Sequence, residues 1–406
     1  LTSREDPFPS VVLEALALGV PVATFDWGGG YVELLNDKNL GFTIPYMDVE
    51  AAAQMIPAAL GDPKTYDKKR VAHRQALIRE RYQFPDYCAD LLNYLNPERK
   101  RISVIVPNYN YGHYLEDRLE SIFTQTYPLY EIIVLDDGSS DGSAEIATEV
   151  GERYKRILKV VSNEKNSGNV FRQWQRGLSM ASGDYVWIAE ADDLSRPDFI
   201  ASLVARLASD PESTFAFSDS VAIDEKGLTM YEDYKGYYAA EGDDGLSRDG
   251  IFPASEFLRR FLAVRNLVLN VSSVLWDREH LMQVFESLGG DAFNFTCAGD
   301  WRVYVESCRL GGTVHYAAET LNLHRRHAKS VTHSLDKKKH FDEIAAVQEA
   351  ALEDFPNDKA LKESVARHQA EMKLHWGLKK EAPVVKKEKK KPAAKPQKAV
   401  AGKKRK

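Results

Sequence analysis

The sequence predicts an α/β protein whose strands run largely parallel, and three observations carry that expectation. Between Ile102 and about His333, short β-branched runs alternate with amphipathic stretches of helical spacing. The alternation reads β-α-β-α-β-α-β, a pattern met by parallel strands joined through right-handed crossovers. Three strand ends carry distinctive polar sequences: Pro107-Asn108-Tyr109-Asn110, the run Asp136-Asp137-Gly138-Ser139, and Glu190-Ala191-Asp192-Asp193. Ligands of such sheets bind beyond the carboxyl ends of the strands, so a site is expected where these three ends meet.

Each element follows from its own residues. Ile102 to Val106 is an apolar run stopped by Pro107. His113 to Thr126 places Leu115, Leu119, Ile122 and Phe123 at helical spacing. Tyr130 to Leu135 reads as a buried strand, Ser143 to Tyr154 as a helix and Ile157 to Val161 as the next strand. Val170 to Ala181 is helical, and Tyr185 to Ala189 is a fourth strand. Ahead of this region, residues 1–95 are mixed in pattern, and the charged stretch 96–101 reads as a linker. Behind it, two polar helices are expected at about 335–353 and 357–376. A Lys/Ala/Pro tail over 378–406 cannot bury a core and is expected to be disordered. The expected domains are thus 1–95, 102–333 and a helical extension over 334–377.

Composition narrows the function classes. At 406 residues, two or three domains fit, and 44% hydrophobic with 28% charged residues exclude a chain disordered throughout. No apolar run reaches the roughly 18–20 residues of a membrane span. The best run, Val11 to Phe25, is broken by Glu14, Gly19 and Pro21. No secretory signal is recognisable and the first residue is Leu1, so the chain reads as a fragment. The tail from Lys379 holds 13 Lys/Arg against 2 Glu, a net +11, which leaves 41 against 58 in the body, a net −17. An acidic body gives no reason to expect nucleic acid. Cys88, Cys297 and Cys308 lack metal-ligand spacing and suit a reducing, cytoplasmic setting.

The polar strand ends admit two readings each. Three carboxylates in Glu190-Ala191-Asp192-Asp193 repel one another, and a divalent cation would remove that cost. The same residues could instead begin a helix, with Ser195-Arg196-Pro197 following. The run 136–143 is either a plain turn leading to a helix cap or a carboxylate that accepts hydrogen bonds from a base or ribose. The glycine-rich phosphate loops GxGxxG and GxxxxGK[ST] are absent after these strands.

The run ISVIVPNYNYGHYLEDRLESIFTQTYPLYEIIVLDDGSSDGS resembles the opening of family-2-like glycosyltransferases with the A-type fold. Glu164-Lys165-Asn166-Ser167-Gly168, then GDYVWIAEADDLSRPDF, FAFSDSVAIDEKG, CAGDWRVYVESCRLGG and LNLHRRHAKSVTHS follow in the family's order. The resemblance spans about 102–333 and implies a Rossmann-like mixed, mainly parallel sheet with helices on both faces. It implies a nucleotide pocket from Pro107, Tyr109, Asn110, Asn166 and Gly168, with Asp137 accepting from the base and Asp136 supporting the turn. It implies Asp192 at the ribose, Asp193 on a Mn²⁺ or Mg²⁺ ion at the diphosphate, Asp300 as general base and His327 as a further metal or phosphate contact. Two positions depart from the family: Glu190 stands where Asp is common, and Gly299 stands where a second carboxylate often precedes the base.

Trp174, Trp187 and Trp276 lie in apolar-periodic stretches and read as core. Trp301, beside Asp300, is the acceptor-contact candidate. His324, His327 and His333 are irregularly spaced and, apart from the family pattern, read as surface residues. Residues 3–35 resemble the donor half of family-4-like transferases with the B-type fold, with Asp6 and Glu14 at that family's E-x7-E positions and Glu33 beyond the glycines. About 95 residues are too few for that two-domain enzyme, so a donor-site remnant is expected. The implied function is inverting, metal-dependent transfer from a nucleotide-diphosphate sugar to a glycan or lipid-linked acceptor. A surface-polysaccharide role is inferred from the family alone, and the alternative is a non-catalytic sugar-nucleotide or glycan-binding module. The basic tail suits contact with an anionic membrane surface at the inner face. It suits nucleic acid poorly, because no aromatic residue is interleaved with the lysines.

Overall fold

The computed structural model describes residues 10–27, 29–38, 40–81, 96, 98–156, 158–241, 243–327 and 336–378. Asp6, Gly28, Cys88, His333 and the tail from Lys379 lie outside these.

The N-terminal piece is a small α/β unit. Strands β1 (Val22–Phe25) and β2 (Gly41–Ile44) pair in parallel, flanked by helices Ser10–Ala17, Tyr31–Lys38, Val49–Gly61 and Lys68–Arg81. Val12, Leu16, Tyr31, Leu35 and Leu40 form its core. Glu14 and Glu33 both face solvent.

The larger sheet contains β3 (Ile102–Asn108), β4 (Glu131–Asp136), β5 (Lys159–Ser162), β6 (Tyr185–Ile188), β7 (Leu194–Ser195), β8 (Ser213–Ile223), β9 (Thr229–Tyr231), β10 (Gly250–Pro253), β11 (Val274–Asp277) and β12 (Thr313–Arg325). Its order is β10-β12-β8-β11-β6-β3-β4-β5. β5, β4, β3 and β6 run parallel, as the alternation requires. Beyond β6 the sheet becomes mixed, because β11 is antiparallel to both β6 and β8.

Strand periodicity divides the core between two faces. Val104, Val106 and Trp187 pack with Leu115, Leu119, Ala147, Phe199 and Leu203, from helices Gly112–Phe123, Ser143–Arg153 and Phe199–Leu207. Ile105, Val186 and Ile188 face the other way, against Phe171, Trp174 and Leu178 of helix Val170–Met180 and against helices Arg278–Leu288 and Gly299–Arg309. Helices therefore cover both faces. The last two helices, Lys337–Leu352 and Lys359–His375, send Val347, Ala351 and Leu361 into this second core. They complete the same packed body. Among the described residues no helix is long and apolar enough to cross a membrane.

Candidate active site

The ends of β3, β4 and β6 open onto a cleft of about 510 Å³. Its walls include Pro107, Tyr109, Asp137, Asn166, Gly168, Asp192 and Asp193, so seven of the expected residues meet there. Glu190, His324 and Arg325 also line it.

Asp136 and Asn110 are turn staples rather than cleft walls. Asp136 accepts from Asn108 Nδ2 at 2.9 Å and from the Ser139 N–H at 3.1 Å. Asn110, in the left-handed region at φ 58°, accepts from the Ser140 N–H at 2.8 Å, and its own N–H donates to Ser139 Oγ at 2.9 Å. Its carboxamide oxygen is thus engaged by the neighbouring turn, and Asn110 stands beside the lining residues Tyr109 and Tyr111 rather than in the cleft wall. Gly138 (φ +72°) lets this turn press on the next loop, since a Cβ there would stand 2.8 Å from the Asn166 nitrogen. Asp137 is nearly saturated. Its Oδ1 accepts from Asn163 Nδ2 (2.5 Å), the Ser167 N–H (2.9 Å) and Gln173 Nε2 (2.8 Å), and its Oδ2 accepts from Ser167 Oγ (2.7 Å). One lone pair of Oδ2 remains for a ligand.

In the acidic run, the carboxylates occupy different environments. Asp193 is 2% exposed, with Oδ2 accepting from Asn270 Nδ2 (2.8 Å) and Ser272 Oγ (2.7 Å) and Oδ1 from the Arg325 N–H (2.8 Å). Burial and the neighbouring Asp192 raise its pKa. Protein donors therefore take both acceptor sites of Oδ2 and one of Oδ1, and Oδ1 keeps one lone pair at the cleft that Asp193 lines. Asp192 is the more open carboxylate, and its Oδ2 lies 3.0 Å from His327 Nε2. Tyr111 and Tyr114 pack against the His327 ring, at 5.6 and 5.9 Å between centroids. Both carboxylates line the cleft, and Asp192 is the one that stands beside an imidazole.

Glu190 is held by the Trp174 indole N–H at 3.0 Å. Burial, then the charges of Asp192 and Asp193, push its carboxyl up to about 8, so it is largely protonated at neutral pH. Beneath the run lies Arg118, fully buried, over the Trp187 ring at 4.7 Å and donating to Ser195 Oγ at 2.8 Å. Burial lowers its pKa to about 10, and the three carboxylates act against that shift. The repulsion read from the sequence is therefore offset within the protein by one buried cation and one protonated carboxyl. Mn²⁺ or Mg²⁺ would draw here on an Asp192 oxygen with phosphate oxygens and water, and on His327 Nε2 only once that nitrogen gives up its hydrogen bond to Asp192. Among the described residues no three His, Cys, Asp or Glu side chains converge on one point, so the substrate would have to supply most ligands.

Asp300 sits in the first turn of helix Gly299–Arg309, hydrogen-bonded to Asn266 Nδ2 at 3.2 Å. Burial pushes its carboxyl up to about 7. It does not line the cleft itself; Phe295 and Thr296, just before it in the chain, do. A side chain at Gly299 has no room, because its Cβ would stand 2.3 Å from Phe171 Cε2. Trp301 is 4% exposed and donates to the Leu262 carbonyl at 2.8 Å, so it belongs to the core and not to an acceptor platform. Trp187 and Trp276 are buried, as expected. His324 is no surface residue: it lines the cleft, bonds Tyr234 Oη at 3.0 Å, and is held below the usual histidine range by burial.

Asn270 and Phe171 carry no motif in the chain, and Arg118 and Arg325 lie within the runs that resemble the family but had no role read from them. Only the folding back of the chain brings Arg118 to Ser195, 77 positions further on.

The sequence pattern of Glycosyl transferase family 2 matches residues 103–266, and that of Glycosyl transferases group 1 matches residues 1–76. An uncharacterized glycosyltransferase of Haemophilus influenzae is 37% identical over 234 residues, 57% of this chain and 67% of its own. The putative teichuronic acid biosynthesis glycosyltransferase TuaG of Bacillus subtilis is 31% identical over 183 residues, 45% of this chain and 64% of its own. The chain spans only 15% of another relative, the Streptococcus pneumoniae glycosyltransferase GlyA, at 39% identity. Among solved structures, S. aureus TarS 1–349 in complex with UDP-GlcNAc superposes with a TM-score of 0.50 at 16% identity, covering 68% of this chain and 73% of that one. That likeness concerns the fold, which is the A-type. Motif order, the cleft at the strand ends and these relatives together show that the chain belongs to the family 2 glycosyltransferases, preceded by a segment of the family-4-like, group 1 kind.

Proposed function

We propose that residues 102–333 take a nucleotide-diphosphate sugar into the cleft and transfer its sugar to an acceptor hydroxyl with inversion at the anomeric carbon. The observation that carries this reading is the convergence of Tyr109, Asp137 and Asp192, from three separate strand ends, on one cleft. Pro107 and the exposed Tyr109 ring form an apolar wall for a base. The remaining lone pair of Asp137 Oδ2 accepts from the base or ribose, with Asn166 and Gly168 on the same wall. Glu190, protonated at neutral pH, has an O–H to donate to a sugar oxygen.

Asp192 and His327 would hold the divalent cation. When bound, it supplies charge neutralisation on the leaving diphosphate. Asp300 takes the proton of the attacking hydroxyl, a service worth about 10²–10⁴ in rate, and a pKa near 7 suits that task. In a single displacement, the bond to the incoming oxygen forms as the bond to the diphosphate breaks, which inverts the centre. The teichuronic acid relative supports a glycan or lipid-linked acceptor in surface-polysaccharide assembly. The Lys-rich tail supports an anionic surface as partner, at about 1 kcal/mol per Lys close to it. We place the activity at the inner face of the membrane.

The test is binding and hydrolysis across UDP-, GDP- and dTDP-sugars with Mn²⁺, with Mg²⁺ and with chelator. Saturable, metal-dependent binding of one donor with turnover is expected. Binding without turnover in the presence of candidate acceptors would favour a non-catalytic binding module. Asp192→Ala should abolish the metal dependence; an unchanged metal response would remove the cation from this site.

A further inference from the structure

We infer that the C-terminal helix Lys337–Leu352, outside the matched family segment, is part of the catalytic apparatus, and that Glu343 is a positioning residue for the strand of chain leading into Asp300. The inference rests on the assignment of Asp300 as base.

Glu343 is buried, with 7% exposure, far below the usual state of a glutamate. Its carboxylate accepts from three successive backbone N–H groups: Thr296 at 3.0 Å, Cys297 at 2.8 Å and Ala298 at 3.1 Å. Converging amides of this kind form an anion-binding nest, filled here by the protein's own side chain. The nest stands at the start of helix Gly299–Arg309, where a negative charge is favoured. The N-cap of that helix is Ala298, whose side chain cannot cap it. Lys339, on the same helix as Glu343, adds a bond from Nζ to Thr296 Oγ1 at 2.9 Å.

The same loop is held from its other side. Asn169, a cleft-lining residue, donates through Nδ2 to the Phe293 and Phe295 carbonyls, both at 3.1 Å. Residues 293–298 are therefore clamped between the cleft and the C-terminal helix. Phe295 and Thr296 form cleft wall, and Asp300 follows two residues after the nest. A second anchor reaches Asp300 by another route. Gln348, fully buried on the same helix, donates to the Val264 carbonyl at 2.7 Å, two residues before the Asn266 that bonds Asp300. Glu343 and Gln348 thus fix both segments that meet at the base. A misplacement of about 1 Å at a reacting group can cost on the order of 10² in rate.

The experiment compares wild type with Glu343→Ala, Glu343→Gln and Glu343→Asp in two arms. The first is backbone hydrogen exchange. Glu343→Ala should expose the amides of Thr296, Cys297 and Ala298 while the amides of helix Phe199–Leu207 keep their protection, which shows that the variant is folded. The second is steady-state transfer from whichever of the UDP-, GDP- or dTDP-sugars the wild type uses with Mn²⁺. There kcat should fall 10- to 100-fold in Glu343→Ala with the donor KM changed less than threefold. Glu343→Gln, which keeps one acceptor oxygen, should recover part of the loss. Unchanged exchange at 296–298 overturns the clamp. Exposed amides with unchanged kcat, or equal losses in kcat and in the amount of folded protein, overturn the positioning role. A wild type that turns over no donor refutes the proposed transferase reaction instead, and the clamp is then decided by exchange alone.

Discussion

Gly299→Ala places one methyl group where Phe171 already stands. The added Cβ would lie 2.3 Å from Cε2 and 2.4 Å from Cζ of that ring. Carbon atoms in contact sit roughly 3.5–4.0 Å apart, so ring or helix must give by about 1 Å. Phe171 has little freedom to do so: it is 3% exposed and packs edge-on against Trp174, at 4.9 Å between centroids. Trp174 in turn holds Glu190, so displacement is passed to the cleft. Overpacking of this kind costs about 1–3 kcal/mol. Removing a helical glycine returns about 0.5–1 kcal/mol, and packing wins. A net loss of about 1–2 kcal/mol lowers Tm by about 2–8 °C for a body of this size. The assay is thermal unfolding of Gly299→Ala, Phe171→Ala and the double variant. Phe171→Ala alone should cost about 3–5 kcal/mol, and the double variant should lose about 1–2 kcal/mol less than the singles added together. A Gly299→Ala protein at or above the wild-type Tm, or strictly additive losses, would refute the steric account of the missing second carboxylate.

Asp300→Asn should leave metal-dependent donor binding within about threefold and reduce transfer about 10²–10⁴-fold; native-rate transfer would end the base assignment. Because the base acts ionised and its carboxyl is raised to about 7, wild-type kcat should climb with pH and level off above that value. Glu190 is raised from 4.5 to about 8, so between those values the unfolded chain gives up a proton the folded one keeps. Wild-type stability therefore falls across that window relative to Glu190→Gln. Urea titrations with chelator should show the variant's advantage growing from about pH 4.5 to 8 and flat above; an advantage that shrinks with rising pH would contradict the shift. Arg118→Met removes the buried counter-charge beneath the acidic run and should cost roughly 3–5 kcal/mol in urea unfolding. A loss under 1 kcal/mol would show that the carboxylates do not depend on it.

The strands and helices of the 102–207 half were legible because each depends on neighbours close in sequence. Apolar spacing at two or 3.6 residues names the buried face, and the polar tripwires after β3, β4 and β6 mark where the chain leaves the sheet. The cleft followed from the same logic, since parallel strands bring their carboxyl ends to one edge. The assignment of individual oxygen atoms was not legible. Asp192 and Asp193 are adjacent and chemically alike, yet Asn270, Ser272 and Arg325 bond one and leave the other beside His327. Those partners lie 77 to 132 residues away. Trp301 failed as a surface platform for a related reason: its helix turns that side chain inward to the Leu262 carbonyl. Local pattern thus determined the elements, their order and the edge on which a ligand sits. Tertiary packing decided which donors each carboxylate meets, which carboxyl is pushed toward its protonated form, and that a helix from the far end of the chain grips the loop before Asp300. Hydrogen bonding and desolvation are set by atoms within a few ångströms, and only the folded chain determines which atoms those are.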